Sequence, residues 1–206
     1  MLDSYINLIS GGEGEIVEKK SRFIGQIKPV NSEEEAYEFI EAVKKKHYSA
    51  RHNCYAFSVG LDMPLLRFSD DGEPQGTAGK PILEVINSSK IHNICIVVTR
   101  YFGGTLLGTG GLVRAYTDAC KAALSNCDIK VMEKLIPIDI STNYTDMGKI
   151  QYILNNNNVN IIDTIYTDDV CFKANLRKNE ADTIIKEIVD ATGARAKIVQ
   201  FDEIFG

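Results

Sequence analysis

Residues 94–124 read ICIVVTRYFGGTLLGTGGLVRAYTDACKAAL. The first five, Ile94 to Val98, are a β-branched run of the kind that fills a buried strand. The last part sets Leu112, Tyr116, Ala119 and Ala123 at helical spacing, with Arg114, Asp118 and Lys121 on another face. Between them lie Gly103, Gly104, Gly108, Gly110 and Gly111, five glycines within nine residues. Glycine loses more conformational freedom on folding than any other residue. A loop this rich in it answers either a left-handed backbone or the close approach of another group. Strand, glycine loop and helix in this order also point helix N-terminal N–H groups at an anion.

The loop is not a standard nucleotide fingerprint. Gly110-Gly111-Leu112-Val113 lacks the Lys-Ser/Thr that ends a P-loop. After Gly108 and Gly110, the third dinucleotide glycine is replaced by Val113. Two readings remain: glycines that let a helix pack tightly on a sheet, or a loop that binds an anion through its main chain.

Working outward, the chain has 206 residues, room for one large domain or two ordinary ones. Its 44% apolar and 25% charged residues are those of a soluble globular protein. No apolar run reaches membrane-spanning length, and the opening MLDSYINL lacks the basic start and apolar core of a signal peptide, so a cytoplasmic protein with no membrane partner is expected. The five cysteines are scattered without a C-x-x-C pair, which suggests reduced core residues rather than a zinc site or disulfide framework. Up to Asp128 there are 14 basic and 16 acidic residues, and beyond it 9 and 12. That balance argues against holding duplex nucleic acid by net charge alone, and leaves a local basic patch as the route to RNA.

Glu15 to Ile27 alternates like a strand or strand pair, with Lys19, Lys20 and Arg22 on a solvated face. Asn31 or Ser32 can cap a helix that begins with Glu33, Glu34 and Glu35 and ends with Lys44, Lys45 and Lys46, burying Ala36, Phe39, Ile40 and Val43. His47, Arg51 and His52 precede a strand that starts near Cys54. Arg67 to Pro81 reads as a long loop, with Pro81 opening a short helix over Ile82 to Ile86. Asp70, Asp71, Glu73, Gln75 and Thr77 make it a candidate ligand loop. Its three acids could hold a divalent cation such as Mg²⁺, but EF-hand spacing is absent, and a structured turn or ligand-binding loop with no metal or cofactor is expected.

Beyond Asp128 the pattern restarts. Strands are expected at Leu135–Ile140, Val159–Tyr166, Val170–Leu176 and Lys197–Phe201. Helices are expected after a Thr145 or Asp146 cap and from Asn179 to Ala191, the latter ended by Gly193. The order β-α-β-β-α-β is the ferredoxin-like unit. No nucleophile–base pair and no histidine occur there, as expected of a scaffold or docking module.

EPQGTAGKPIL (73–83), followed by VTRYFGGTLLGTGGLVRAY (98–116), resembles the paired signature of the IMPACT family, and KSRFI (20–24) is similar to its start. The resemblance runs over the whole chain and is to the bacterial, YigZ-like branch. It implies an α+β protein with a domain like ribosomal protein S5 domain 2 over residues 1–128. A ferredoxin-like domain similar to those of elongation factor G follows over 129–206. It also implies a link to regulation of translation, through a protein partner in the eukaryotic members. Its extra N-terminal domain is absent from this sequence, so that interaction is not expected to carry over. The resemblance supplies no enzymatic activity and no catalytic residue. The leading expectation is a non-enzymatic factor that binds RNA or the ribosome. Lys80, Arg100, Arg114 and His52 meet phosphates in a groove, Gly103, Gly104, Gly108, Gly110 and Gly111 present main-chain amides, and Tyr101, with Phe102, stacks bases. A Mg²⁺-dependent enzyme acting on a nucleotide or phosphometabolite, and a protein–protein adaptor, are the alternatives.

Overall fold

The structure is a computed structural model that describes residues 4–206. The chain forms two compact units, dividing between Val131 and Met132.

The first unit runs β1 (Ser4–Ser10), β2 (Glu13–Glu18), β3 (Ser21–Pro29), α1 (Glu33–Lys46), β4 (His52–Val59), β5 (Leu65–Ser69), α2 (Gly79–Ser89), β6 (Ile91–His92), β7 (Ile94–Tyr101) and α3 (Thr109–Leu124). Its five-stranded sheet has the order β2-β3-β7-β4-β5, every neighbour antiparallel. The β-branched run of β7 lies at the centre because both its faces are covered. Alternation along the strand sends Ile94, Ile96 and Val98 to one side, against Ile82 and Ile86 of α2 and Leu112, Tyr116 and Ala119 of α3. It sends Cys95 and Val97 to the other side, against Ala36, Ile40 and Val43 of α1.

Local chemistry accounts for the ends of these elements. Ser32 caps α1, its hydroxyl accepting from the Glu35 amide at 3.2 Å. The β2–β3 hairpin turns at Lys19 and Lys20, both with positive φ, so the expected basic strand face is split. Two of its lysines lie in the turn, and Arg22 forms a two-bond pair with Glu15. Two expectations are corrected. Arg67, Phe68 and Ser69 belong to strand β5, paired with β4, rather than to a loop. Helix α2 begins at Gly79 and ends at Ser89, with Pro81 inside its first turn, where a missing N–H costs nothing.

Strand β8 (Asp128–Thr142) carries the chain across the division, longer than the six residues expected. The second unit continues with α4 (Tyr144–Asn156), β9 (Asn160–Tyr166), β10 (Val170–Arg177), α5 (Lys178–Thr192), β11 (Lys197–Gln200) and β12 (Ile204–Phe205). This is the expected βαββαβ order with one short strand added. β10 lies between β8 and β9, and β11 and β12 pair with β8, all antiparallel. α4 and α5 bury Ile150, Ile153, Leu154, Ile184 and Ile188 against Ile138, Ile140, Phe172 and Leu176. The cap of α4 is Asn143 rather than Thr145 or Asp146, its side-chain oxygen accepting from the Asp146 amide at 2.9 Å. Gly193 closes α5 in the left-handed conformation, as the sequence suggested. The chain is α+β in two domains.

Candidate functional site

Period two along β7 puts Arg100 on the α3 side of the sheet and Tyr101 on the α1 side. Arg100 is only 6% exposed. Its Nη1 donates to Glu73 Oε1 at 2.6 Å, and the guanidinium lies 5.4 Å from the Phe23 ring centre and 5.5 Å from that of Phe102. The Tyr116 hydroxyl donates to the same Glu73 oxygen at 2.8 Å and accepts from the Cys54 thiol at 3.3 Å. Burial keeps both the phenol and the thiol protonated. Arg100 Nε is buried with no hydrogen-bond partner. An unmet donor in such a place costs about 1–3 kcal/mol.

The acidic loop builds this arrangement. Asp70 Oδ1 accepts from the amides of Ala78 and Gly79, and Oδ2 from that of Gly76. A carboxylate thus serves the open N-terminus of α2, which has no side-chain cap of its own. Asp71 Oδ2 accepts from the Asn53 amide at 2.6 Å, and Thr77 donates to the Pro74 carbonyl. Gly79 is pressed against Ser69, where a Cβ would come within 2.7 Å of the backbone. With these acids turned to main-chain amides, and Glu73 to Arg100 and Tyr116, no three His, Cys, Asp or Glu among the described residues are disposed to hold a metal ion. Gln75 is exposed.

Beside Arg100 opens a cleft of about 420 Å³. Arg51, His52, Glu73 and Pro74 line it together with Phe102, Leu106, Leu107, Gly108, Thr109 and Leu112. His52 Nδ1 lies 2.9 Å from the Asp71 carbonyl. A carbonyl only accepts, so Nδ1 is the donor in this contact. The start of α3 meets this cleft. Gly108 is its N-cap, with φ +74 and no side-chain cap, and the first intrahelical bond is Leu112 N to Gly108 O. The amides of Thr109, Gly110 and Gly111 precede that bond and face out of the helix end. Such an end, with two arginines beside it, suits an anion carrying several acceptor oxygens.

Of the four side chains expected in the groove, His52 and Arg100 line it, while Lys80 and Arg114 are exposed outside its lining. Tyr101 stands away from it, with its hydroxyl 3.0 Å from His47 Nδ1 and the Arg22 guanidinium 5.8 Å from its ring centre. Burial, then Lys46 nearby, pushes the His47 imidazole down, towards its neutral form. The loop glycines divide. Gly103 packs on the β2–β3 turn, where a Cβ would fall 2.0 Å from the Lys20 carbonyl carbon. Gly104 takes positive φ in open space, and Gly111 touches Leu107. The glycines that let α3 lie close to the sheet are in strands, Gly14 and Gly25. The sequence reading assigned no role to Arg51, Leu106 or Thr109. Adjacency to His52 was the one available signal for Arg51. Helical spacing marks Tyr116 as core but cannot show that its hydroxyl has a partner.

The model of the Impact N-terminal domain matches residues 19–124, which include β7, the glycine loop and α3. A domain of unknown function, DUF1949, matches residues 140–195. IMPACT family member YvyE of Bacillus subtilis is 37% identical over 198 residues, covering 96% of this chain and 91% of that protein. IMPACT family member YigZ of Escherichia coli is 35% identical over 187 residues, covering 90% and 92%. A crystal structure described only as that of a hypothetical protein superposes with a TM-score of 0.62 at 32% identity, covering 98% of this chain and 99% of that one. The Protein IMPACT homolog of Dictyostelium discoideum is 37% identical over 97 residues, 45% of this chain and 28% of that protein. Relatives that align along nearly the whole length, together with a family model spanning the cleft-bearing unit, place this chain in the IMPACT family.

Proposed function

We propose that this protein is a non-enzymatic, translation-linked regulatory factor of the cytoplasm that binds RNA or the ribosome through the cleft of its first unit. One observation carries the reading. The uncapped, glycine-led end of α3 opens onto a concavity that holds Arg51, His52 and the buried guanidinium of Arg100. Phosphate oxygens meet both the amides and the guanidinium groups there, and Phe102, 48% exposed at the rim, offers a face to a base. The family relationship to proteins named IMPACT supports a regulatory role. No helix among the described residues is long and apolar enough to cross a membrane.

The test is fluorescence anisotropy with single-stranded RNA across a salt series, with co-sedimentation on ribosomes. Two or three phosphate contacts give a slope of log affinity against log salt of about −1.4 to −2.1. Arg51→Ala lowers both the affinity and the slope. Absence of binding at low salt, or binding indifferent to salt, overturns the proposal. Stabilisation by nucleotides only when Mg²⁺ is added favours the enzymatic alternative instead.

A further inference from the structure

Gly110 has no folding reason to be glycine. Its φ is not left-handed, and a Cβ built on it would meet nothing within 4 Å. Alanine is the better helix former at such a position. Helical Cα–Cβ bonds tilt toward the N-terminus, so a side chain here would reach over the open amides of α3. Glycine at this point keeps that end clear for a ligand seated on the main chain.

Arg100 Nε supplies an independent sign of the same ligand. It is a donor on a side chain more than nine-tenths buried, it lacks an acceptor, and its residue lines the cleft into which α3 opens. Buried donors in folded proteins are almost always met by protein, water or ligand. Charge narrows the choice. Glu73 offsets one of the two arginines, which leaves one positive charge, and the helix end adds about half a charge more. A phosphate monoester, at about −1.5 to −2 near neutral pH, answers that total better than a singly charged diester. Its three terminal oxygens also match the three amides and Nε better than the two free oxygens of a diester. Beside this polar corner stand Phe102 and the 82% exposed Leu106, an apolar rim against which a base can lie.

We infer that the cleft takes a nucleoside phosphate monoester, with its terminal phosphate on the amides of Thr109, Gly110 and Gly111 and on Arg100 Nε, and its base against Phe102. In the setting of the RNA-binding reading, on which this inference rests, the ligand is the phosphorylated end of a strand. A free mononucleotide offers the same chemistry, and the arms of the experiment separate the two.

The full chain is titrated with single-stranded RNA carrying either phosphate or hydroxyl at the 5′ end, and with a second pair differing at the 3′ end. Each RNA is labelled at the opposite end, and a nucleoside monophosphate and inorganic phosphate serve as competitors. A phosphate at one end strengthens binding at least tenfold over hydroxyl. Gly110→Ala retains the melting temperature of the parent or exceeds it and abolishes that preference. The mononucleotide competes more strongly than inorganic phosphate. If it binds while RNA of either ending does not, the site is confirmed with the free nucleotide as ligand and the RNA reading falls. Equal binding of phosphate- and hydroxyl-ended RNA at both ends overturns the inference and leaves the RNA reading standing. A preference that survives in a folded Gly110→Ala protein also overturns it, as does failure of every phosphate-ended strand and mononucleotide to bind.

Discussion

Glu73→Gln keeps the shape of the side chain and removes the charge that faces Arg100. The two side chains are 3% and 7% exposed, so little water can replace the lost carboxylate. Breaking a buried ion pair from one side costs about 3–5 kcal/mol, because the other charge stays buried without compensation. Glutamine can still accept from Tyr116 and from Arg100 through its carbonyl, which favours the low end, about 3 kcal/mol. At about 2.1 cal/mol/K of unfolding entropy per residue, a unit the size of Met1–Val131 loses about 3–4 °C of Tm per kcal/mol. The expected fall is therefore about 10 °C, measured by calorimetry and checked by urea denaturation. The double variant Glu73→Gln/Arg100→Met removes the stranded charge and should recover part of the loss, giving a favourable coupling in the double-mutant cycle. A single variant within about 0.5 kcal/mol of the parent, or a double variant whose loss is simply the sum of the two singles, would refute the view that this pair is a mutually dependent buried unit.

Gly103→Ala drives a Cβ into the Lys20 carbonyl, backbone against backbone, and should cost about 1–3 kcal/mol in urea denaturation. The contrast with a neutral Gly110→Ala is the informative comparison, since both sit in the same loop-to-helix segment. Asp146 is held below the ordinary aspartate range by hydrogen bonds from Lys149 and then Arg195. The stability it adds is complete above the ordinary aspartate pKa and is lost as the pH falls through the depressed folded value. The urea midpoint of Asp146→Asn should accordingly be lower than that of the parent at pH 7 and fall less steeply on acidification; parallel pH profiles would count against the assignment. Cys54, Cys95 and Cys120 are buried, and burial pushes their thiols up, whereas Cys127 and Cys171 are partly exposed. A thiol reagent at pH 8 should modify two cysteines in the native protein and five after unfolding.

Periodic and capping signals were legible in the amino-acid order because they report on the backbone of a few neighbouring residues. The β-branched run of Ile94 to Val98 needs two covered faces, the spacing from Leu112 to Ala123 needs one, and Gly193 can end a helix wherever that helix lies. The same local logic made the βαββαβ order of the second unit readable. It misjudged Arg67 to Ser69, whose strand exists because β4 supplies the partner edge, and it set the cap of α4 at Thr145 or Asp146, past the Asn143 that serves.

The site lay largely beyond that reach. Glu73, Arg100 and Tyr116 are far apart in the chain and meet only because β7 and α3 pack face to face across the acidic loop. The same packing admits Arg51 and His52 to the cleft and leaves Lys80 and Arg114 in solvent. A single step along β7 separates Arg100 from Tyr101, since adjacent side chains point to opposite faces. Composition announced an unusual glycine loop, but only its neighbours in space distinguish Gly103, pressed on a hairpin turn, from Gly110, which meets nothing. Short-range geometry is written into successive residues. Which side chains share a cavity is decided by how the layers close, through contacts whose partners the chain order does not name.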